Sequence, residues 1–344
     1  MRNLALSLAV ITALAASSSA SAAPLPYVLR DIAGYPGALD TSATNLNIHG
    51  VVVGSYYCSA SETRAFWWDG AYHDLGVGRA SDVNDAGTIV GASSSGTDVP
   101  RGRAGRWEDG VFTDLGHGIA LGINNHGHIV GQSYDNYRGF LYEDGAMQDL
   151  GSLGTPIGME SWASAISDNG WIVGSSDVAP FPSRRAVLWA TGQTIDLGTF
   201  GGKSSSARAV SDTGIVVGDA TDADQASHAF CWDGRLHDLG RGSAVDVNSA
   251  GLIVGFLDNP QRAFLYQYSS AFMQILPDYG YGASATAIND AGVIVGRVYV
   301  GTGSNRVSHV AVWEPVPEPP SLVALSALFA CLGLSRCRHR GRSD

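Results

Sequence analysis

The stretch AINDAGVIVG, residues 287–296, reads as one tight hairpin, and relatives of it occur seven times along the chain. All copies fit one frame without insertion: Ala, a polar residue four positions on, Gly three further, and a second Gly four further. In order they are ATNLNIHGVVVG from Ala43, ASDVNDAGTIVG from Ala80, ALGINNHGHIVG from Ala120, ASAISDNGWIVG from Ala163, ARAVSDTGIVVG from Ala207, AVDVNSAGLIVG from Ala244 and ATAINDAGVIVG from Ala285. Repetition at about 42 residues is the signature of stacked or radial units, and it outranks any single motif in deciding the fold.

Two further signals recur between the copies. One is an aromatic strand ending at Trp68, Trp107, Tyr142, Trp189, Trp232, Tyr266 and Trp313. The other is an Asp-Leu-Gly strand at Asp74, Asp114, Asp149, Asp196 and Asp238, which degenerates to Ile-Leu-Pro at Ile275. The last repeat has no such strand, and an equivalent, Asp31-Ile32-Ala33, stands ahead of the first repeat instead. A piece missing at one end and supplied at the other implies ring closure, because it removes a sheet edge at the seam. The expected fold class is therefore all-β: a seven-bladed β-propeller of four-stranded repeats, closed by an N-terminal strand.

Within a unit, strand a is the Ala-x-x-Ile-Asn segment, b holds Ile-Val-Gly, c carries the aromatic residue and d ends in Asp-Leu-Gly. Strand a is rich in Ala, Ser and Thr, as suits convergence on an axis, and the bulky c residue fills the wider space outside. In the a-to-b turn, an Asx residue and Gly supply hairpin geometry. The recurring Asp of strand d is expected to make a hydrogen bond common to the units, since an active site needs asymmetry.

These repeats resemble the HAF family of extracellular repeats, named for the tripeptide seen here as His228-Ala229-Phe230; the His recurs only at His309. The resemblance covers about residues 27–314. It implies export and repeat structure, and no particular activity.

Both termini read as addresses. Arg2, the apolar run Leu4 to Ala16 and the small residues Ala20, Ser21 and Ala22 form a signal peptide over residues 1–22. At the other end, Pro317, Glu318 and Pro319 precede an apolar segment, about 322–334, and a cluster of arginines. That order resembles the PEP-CTERM sorting signal, which implies recognition by a membrane-embedded exosortase, transient inner-membrane anchoring and then display at the cell surface or in the extracellular matrix of a bacterium. The domain expectation is a propeller over 23–315 and a sorting tail with a short transmembrane segment over 316–344.

The whole chain carries a net charge of −11. Such an acidic surface argues against nucleic acid and anionic membrane as partners. No cofactor is expected. For metal, Asp219, Asp222 and Asp224 offer three carboxylates within six residues but lack the glycine and terminal Glu of a calcium loop, and His126 and His128 have no third ligand in reach, so none is expected either.

The a-to-b and c-to-d turns share one monotonous face, and the variable loops gather on the other. Loops on a rigid scaffold carry binding residues, so the ligand-binding candidates are Tyr56, Tyr57, Tyr134, Tyr137, Arg138, Trp162, Arg184, Arg185, Arg262, Tyr279 and Tyr281, with Asp82, Arg208 and Asp246 as channel candidates. Aromatic rings among guanidinium and carboxylate groups suit an exopolysaccharide or a surface protein. Nucleophile elbows, H-E-x-x-H helices and phosphate loops are absent from the sequence. The expectation is a non-enzymatic binding protein; the alternatives are a polysaccharide lyase or glycosidase using the acidic channel residues, and a purely structural matrix protein.

Overall fold

Each copy of the repeat folds as an antiparallel hairpin whose first strand bulges by one residue opposite the second glycine. In the first unit Ala43 faces Gly54 and Asn45 faces Val53, so Thr44 is the extra residue. The other six copies bulge at the same place. A bulge crowds the partner strand. A Cβ on Gly54, Gly91, Gly131, Gly174, Gly218, Gly255 or Gly296 would lie 1.9–2.1 Å from a carbonyl oxygen of strand a, which no side chain tolerates.

The computed structural model describes residues 26–316 except 60–61, 94–101, 154–158, 181–182, 191 and 302–306. The signal peptide and the sorting residues Pro317, Glu318 and Pro319 lie outside the described residues. Among the described residues there is no α-helix, and none long and apolar enough to cross a membrane.

Among the described residues the strand pairings group into seven four-stranded antiparallel units. The first holds β2 (Asp40–Leu46), β3 (Val52–Tyr57), β4 (Thr63–Trp68) and the start of β5 (Tyr72–Val83). The second holds the end of β5, β6 (Ile89–Ser93), β7 (Arg103–Glu108) and the start of β8 (Val111–Ile123). The third holds the end of β8, β9 (Ile129–Ser133), β10 (Gly139–Glu143) and β11 (Ala146–Asp149). The fourth is β12 (Ser161–Ile166), β13 (Ile172–Val178), β14 (Ser183–Ala190) and β15 (Gln193–Asp196). The fifth is β16 (Gly201–Val210), β17 (Val216–Asp222), β18 (Ser227–Trp232) and the start of β19 (Leu236–Val247). The sixth is the end of β19, β20 (Leu252–Leu257), β21 (Arg262–Gln267) and β22 (Phe272–Ile275). The seventh combines β23 (Ala283–Ile288), β24 (Ile294–Val300) and β25 (Val307–Pro315) with β1 (Tyr27–Ala33), which pairs antiparallel with β25 from Tyr27↔Pro315 to Ala33↔Val310.

Three units pass to the next without a loop, because β5, β8 and β19 serve as strand d of one unit and strand a of the following one. The hydrogen-bonded sheets accordingly run on as 4-, 10- and 11-stranded ribbons. In each long strand an Asp-Leu-Gly-x-Gly segment turns the corner, as at Gly76 and Gly78 with φ of 96° and 151°. Sequence reading assigned the d-to-a connections to the variable face; at these three crossings glycine conformation replaces the loop.

Apolar side chains fill the spaces between consecutive units. Val53 and Ala65 meet Ala80, Val83, Ile89 and Trp107 of the next unit, and the arrangement recurs along the chain. It also joins the last unit to the first, where Ala287, Val295, Val310 and Val312 pack on Ala43, Leu46 and Val52.

A ladder of buried asparagines runs along the inner hairpins. Asn47 Nδ2 donates to the Asn84 carbonyl (3.1 Å), Asn84 to that of Asn124 (3.2 Å), Asn124 to that of Ser167 (3.1 Å), Asn248 to that of Asn289 (3.0 Å) and Asn289 back to that of Asn47 (2.9 Å). Each Oδ1 accepts backbone N–H groups of its own turn, such as Val51 N on Asn47 at 3.0 Å. Asp could close the turn and could not donate; the ladder bond therefore needs Asn.

Gly218→Ala should destabilise the protein by about 2 kcal/mol or more in urea denaturation, since the added Cβ meets backbone and the ring of Phe230. An unchanged midpoint would show that strand a can relax away.

Candidate functional site

The recurring Asp of strand d has the same two duties in nearly every unit. One oxygen accepts the backbone N–H two residues on, as Asp74 from Gly76 (3.0 Å), Asp114 from Gly116 (2.8 Å), Asp149 from Gly151 (2.7 Å), Asp196 from Gly198 (2.8 Å), Asp238 from Gly240 (2.8 Å) and Asp31 from Ala33 (2.7 Å). The carboxylate also faces the first residue of the strand-c tripeptide. Asp74 meets Arg64 (3.1 Å), Asp114 meets Arg103, Asp196 meets Arg185 (3.7 Å), Asp238 meets His228 (3.0 Å) and Asp31 meets His309 (2.8 Å). The expected common hydrogen bond is present. What sequence reading missed is that the tripeptide's first position is a basic side chain in every unit, Arg in five and His in two.

Several surface candidates serve the scaffold. Tyr56 is turned inward and only 4% exposed, stacked on Tyr35 with ring centroids 3.8 Å apart, which corrects its placement on the ligand face. Tyr57 is half-buried and accepts a 3.5 Å contact from Arg79. Tyr137 occupies a left-handed turn position, and Arg138 donates to Ser152 (2.8 Å). Tyr134 is half-buried, its N–H donating to the His117 carbonyl. Arg185 donates to the Lys203 carbonyl (2.6 Å) as well as facing Asp196. Tyr279 and Tyr281 remain exposed, and so does Arg262.

Trp162 and Arg184 come together. The guanidinium carbon of Arg184 lies 3.8 Å from the Trp162 ring centroid, and its Nε reaches Asp177 at 3.3 Å. A cleft of about 350 Å³ opens there between the fourth and fifth units, lined by Asp177, Ser183, Arg184, Ser204, Ser205, Ser206, Asp219 and Thr221. Arg208, expected in the channel, is exposed, with Nε 2.7 Å from Asp219. Ser206 is shared with an axial cavity of about 240 Å³ that also takes in Asn45, Asp82, Ser164, Arg208, Asp246 and Thr286. The serines and Asp177 escaped sequence reading because they lie inside strands b, c and a; the available signal was the change of residue just after the Ile-Val-Gly glycine, which is Asp219 in the fifth unit alone.

Asp82 and Asp246 face the axial cavity with their oxygens held by N–H groups. Asp82 accepts from Val83 (2.8 Å), Ile123 (2.9 Å) and the Asn45 amide (2.5 Å); Asp246 accepts from Val247 and Ile288 (2.8 Å each). Both keep some accessible area on the channel, yet protein surrounds them, so burial pushes each carboxyl up to about 7 against the pull of those backbone donors. The nearby Asp82 charge raises Asp246 further.

Two aspartates of the acidic loop have separate partners. Asp219 binds Arg208, and Asp222 accepts from the N–H groups of Asp224 and Ala226 (2.9 Å each). Among the described residues no three metal-binding side chains converge.

No protein-family model matches the chain, and no curated protein matches it. Among solved structures it is similar to TolB from Acinetobacter baumannii, with a TM-score of 0.44 and 13% identity over 67% of this chain and 64% of that one. It is also similar to a puromycin-hydrolysing peptidase from Mycobacterium tuberculosis, with a TM-score of 0.51 and 12% identity over 86% of this chain and 56% of that one. The chain thus spans less than two thirds of the length of either. The fold is all-β and propeller-like. The expectation of a non-enzymatic chain is overturned at this point: a hydrolysing peptidase shares the fold, so the architecture does not set this chain apart from enzymes.

The two channel carboxyls predict an unusual pH dependence. An unfolded Asp ionises near pH 4; folded Asp82 and Asp246 keep their protons to about 7. Over that interval the unfolded state releases protons the folded state retains, so stability falls as pH rises from about 4 to about 7. Asp233 behaves oppositely: hydrogen bonds from Tyr268 and His237 lower it to about 2, and its contribution is lost as pH falls from about 4 toward 2. Urea midpoints should peak at about pH 4–5, and Asp82→Asn should flatten the slope between pH 4 and 7.

Proposed function

We propose that the chain is an exported seven-bladed β-propeller of HAF-type repeats, closed by β1, which binds a glycan through the loop-face cleft at Trp162. The observation that carries the reading is the cleft beside the Trp162–Arg184 stack: a guanidinium held 3.8 Å from the indole centroid lines it, together with hydroxyls and carboxylates of the next unit. Planar charged groups and hydroxyls take the hydroxyl edge of a sugar, and the indole holds the guanidinium in place for it. Closure is supported by the β1–β25 pairing and the Asn289-to-Asn47 hydrogen bond. Export and processing by an exosortase rest on the sequences of the two ends, and cell-surface or matrix display follows from that processing.

A second reading has the axial pair as its support. Asp82 and Asp246 share a cavity that meets the cleft at Ser206, and two carboxyls with different neighbours are the equipment of glycoside hydrolysis. Release of reducing ends from exopolysaccharide, lost in both Asp82→Asn and Asp246→Asn, would favour it.

Titration with neutral oligosaccharides should show Trp162→Ala or Arg184→Ala weakening binding roughly tenfold, the equivalent of about 1.4 kcal/mol; absence of binding by the intact protein would sink the reading. Mass spectrometry of the protein from its own cells should show both ends removed, and an intact tail in the presence of an exosortase would refute the sorting proposal.

A further inference from the structure

One unit lacks the strand-d acid of the outer pair. Opposite the third tripeptide residue, strand d places Asp in six units: Phe66↔Asp74, Gly105↔Asp114, Phe140↔Asp149, Val187↔Asp196, Phe230↔Asp238 and Ala311↔Asp31. In the sixth unit of the chain that register position is Ile275, facing Phe264. The cation stays: Arg262 opens the tripeptide Arg262-Ala263-Phe264. Five of its counterparts bind the strand-d Asp and Arg138 binds Ser152. Arg262 is exposed, and among the described residues it has no ion pair or hydrogen bond through its side chain.

The surroundings of Arg262 are altered as well. The connection after Ile275 leaves strand d beside Ala263, where Leu276 N donates to the Ala263 carbonyl (2.9 Å), and returns beside Gln261, whose carbonyl accepts from Ala283 N (3.3 Å). It therefore arches past Arg262 on the loop face. On it stand Tyr279 and Tyr281, 46% and 43% exposed, separated by Gly280 with φ of 84°; Ile275 is itself 42% exposed. The carboxylates nearest in sequence are Asp258 and Asp278, and Asp278 accepts the Gly280 N–H at 2.6 Å.

We propose that Arg262, with Tyr279 and Tyr281, forms a subsite for a carboxylated sugar, a uronic acid residue of an acidic polysaccharide. The guanidinium takes the carboxylate in the geometry its sister units use for Asp. The exposed phenol rings offer faces to the C–H surface of the pyranose. The rest of the surface bears a net negative charge and repels a polyanion, so an acidic glycan docks where a cation stands without its acid. This subsite extends the glycan-binding reading and rests on it, at a place on the loop face separate from the Trp162 cleft.

The repeat supplies its own control. Ile275→Asp installs the carboxylate that six other units already carry at this register, so it should quench the subsite without harming the fold. The test is calorimetric titration of the full chain with oligogalacturonate and, separately, with a neutral glucan oligomer, at low and high salt. Arg262→Gln and Ile275→Asp should each lower oligogalacturonate affinity at least tenfold, with the thermal midpoint kept and neutral binding unchanged. Wild-type oligogalacturonate binding should weaken as salt rises. Oligogalacturonate binding that survives both substitutions, or a wild-type protein that does not bind it, overturns the subsite. Loss of neutral binding in Trp162→Ala alone speaks for the cleft whatever the outcome at Arg262, so the two proposals fail separately.

Discussion

No side chain fits between strand b and the bulged strand a, and the architecture follows from that contact. Because a Cβ at the second glycine would sit about 2 Å from a carbonyl oxygen, the two inner strands approach more closely than a regular ladder permits. The bulge re-aims the residue after each motif Ala, and the close approach leaves room over the glycine for a ring from strand c, as Phe66 over Gly54 and Phe230 over Gly218. Glycine at this position is thus a packing requirement, distinct from the hairpin glycine, whose positive φ a turn demands.

The asparagine ladder then couples units that the hairpins build singly. Ser167 and Ser211 replace Asn in the fourth and fifth units; each still accepts a turn N–H, Ser167 from Trp171 (3.2 Å) and Ser211 from Ile215 (3.1 Å), and neither reaches the next unit. The turn-to-turn contact made at Asn-bearing units, such as Ile48 N to Asp85 and Asn125 N to Asp168, persists there. Asp168 N donates to Asp212 (2.8 Å), Asn169 donates to the Asp212 carbonyl (2.8 Å), and Trp171 lies over Gly214 in the space a Cβ would occupy. On the opposite face the same pair of units is bridged in parallel at Arg184↔Ser204, beside the cleft.

What was legible in the sequence was whatever repeats. The period, the strand types, the pairing of residues 27–33 with the last aromatic strand and the structural duty of the strand-d Asp all follow from patterns present in several copies. The donor role of the motif Asn was not legible, because its turn role explains the residue equally well until a neighbouring carbonyl is placed at 3 Å. Nor was Tyr56: its side chain turns toward Tyr35, which stands before the first repeat and matches no other copy. Arg184 and Trp162 are 22 positions apart, in strands c and a of one unit, and only the folded sheet brings them into contact.

Regularity also dictates where function can reside. A side chain that recurs from unit to unit usually has a recurring partner, as the strand-c Arg or His has the strand-d Asp in five units, and such a group is spent on the scaffold. Specific recognition needs a group whose partner is absent or whose surroundings differ, and such places are few. The fifth unit alone follows its second motif glycine with Asp, and that carboxylate pairs with Arg208, which lines the axial cavity. The sixth alone lacks the strand-d Asp, and there Arg262 keeps its charge exposed. Both departures lie on the face with variable loops, while the hairpin face repeats its turns with little change. In a repeat protein of this kind, the residues that fail to repeat are therefore the place to look for a binding site.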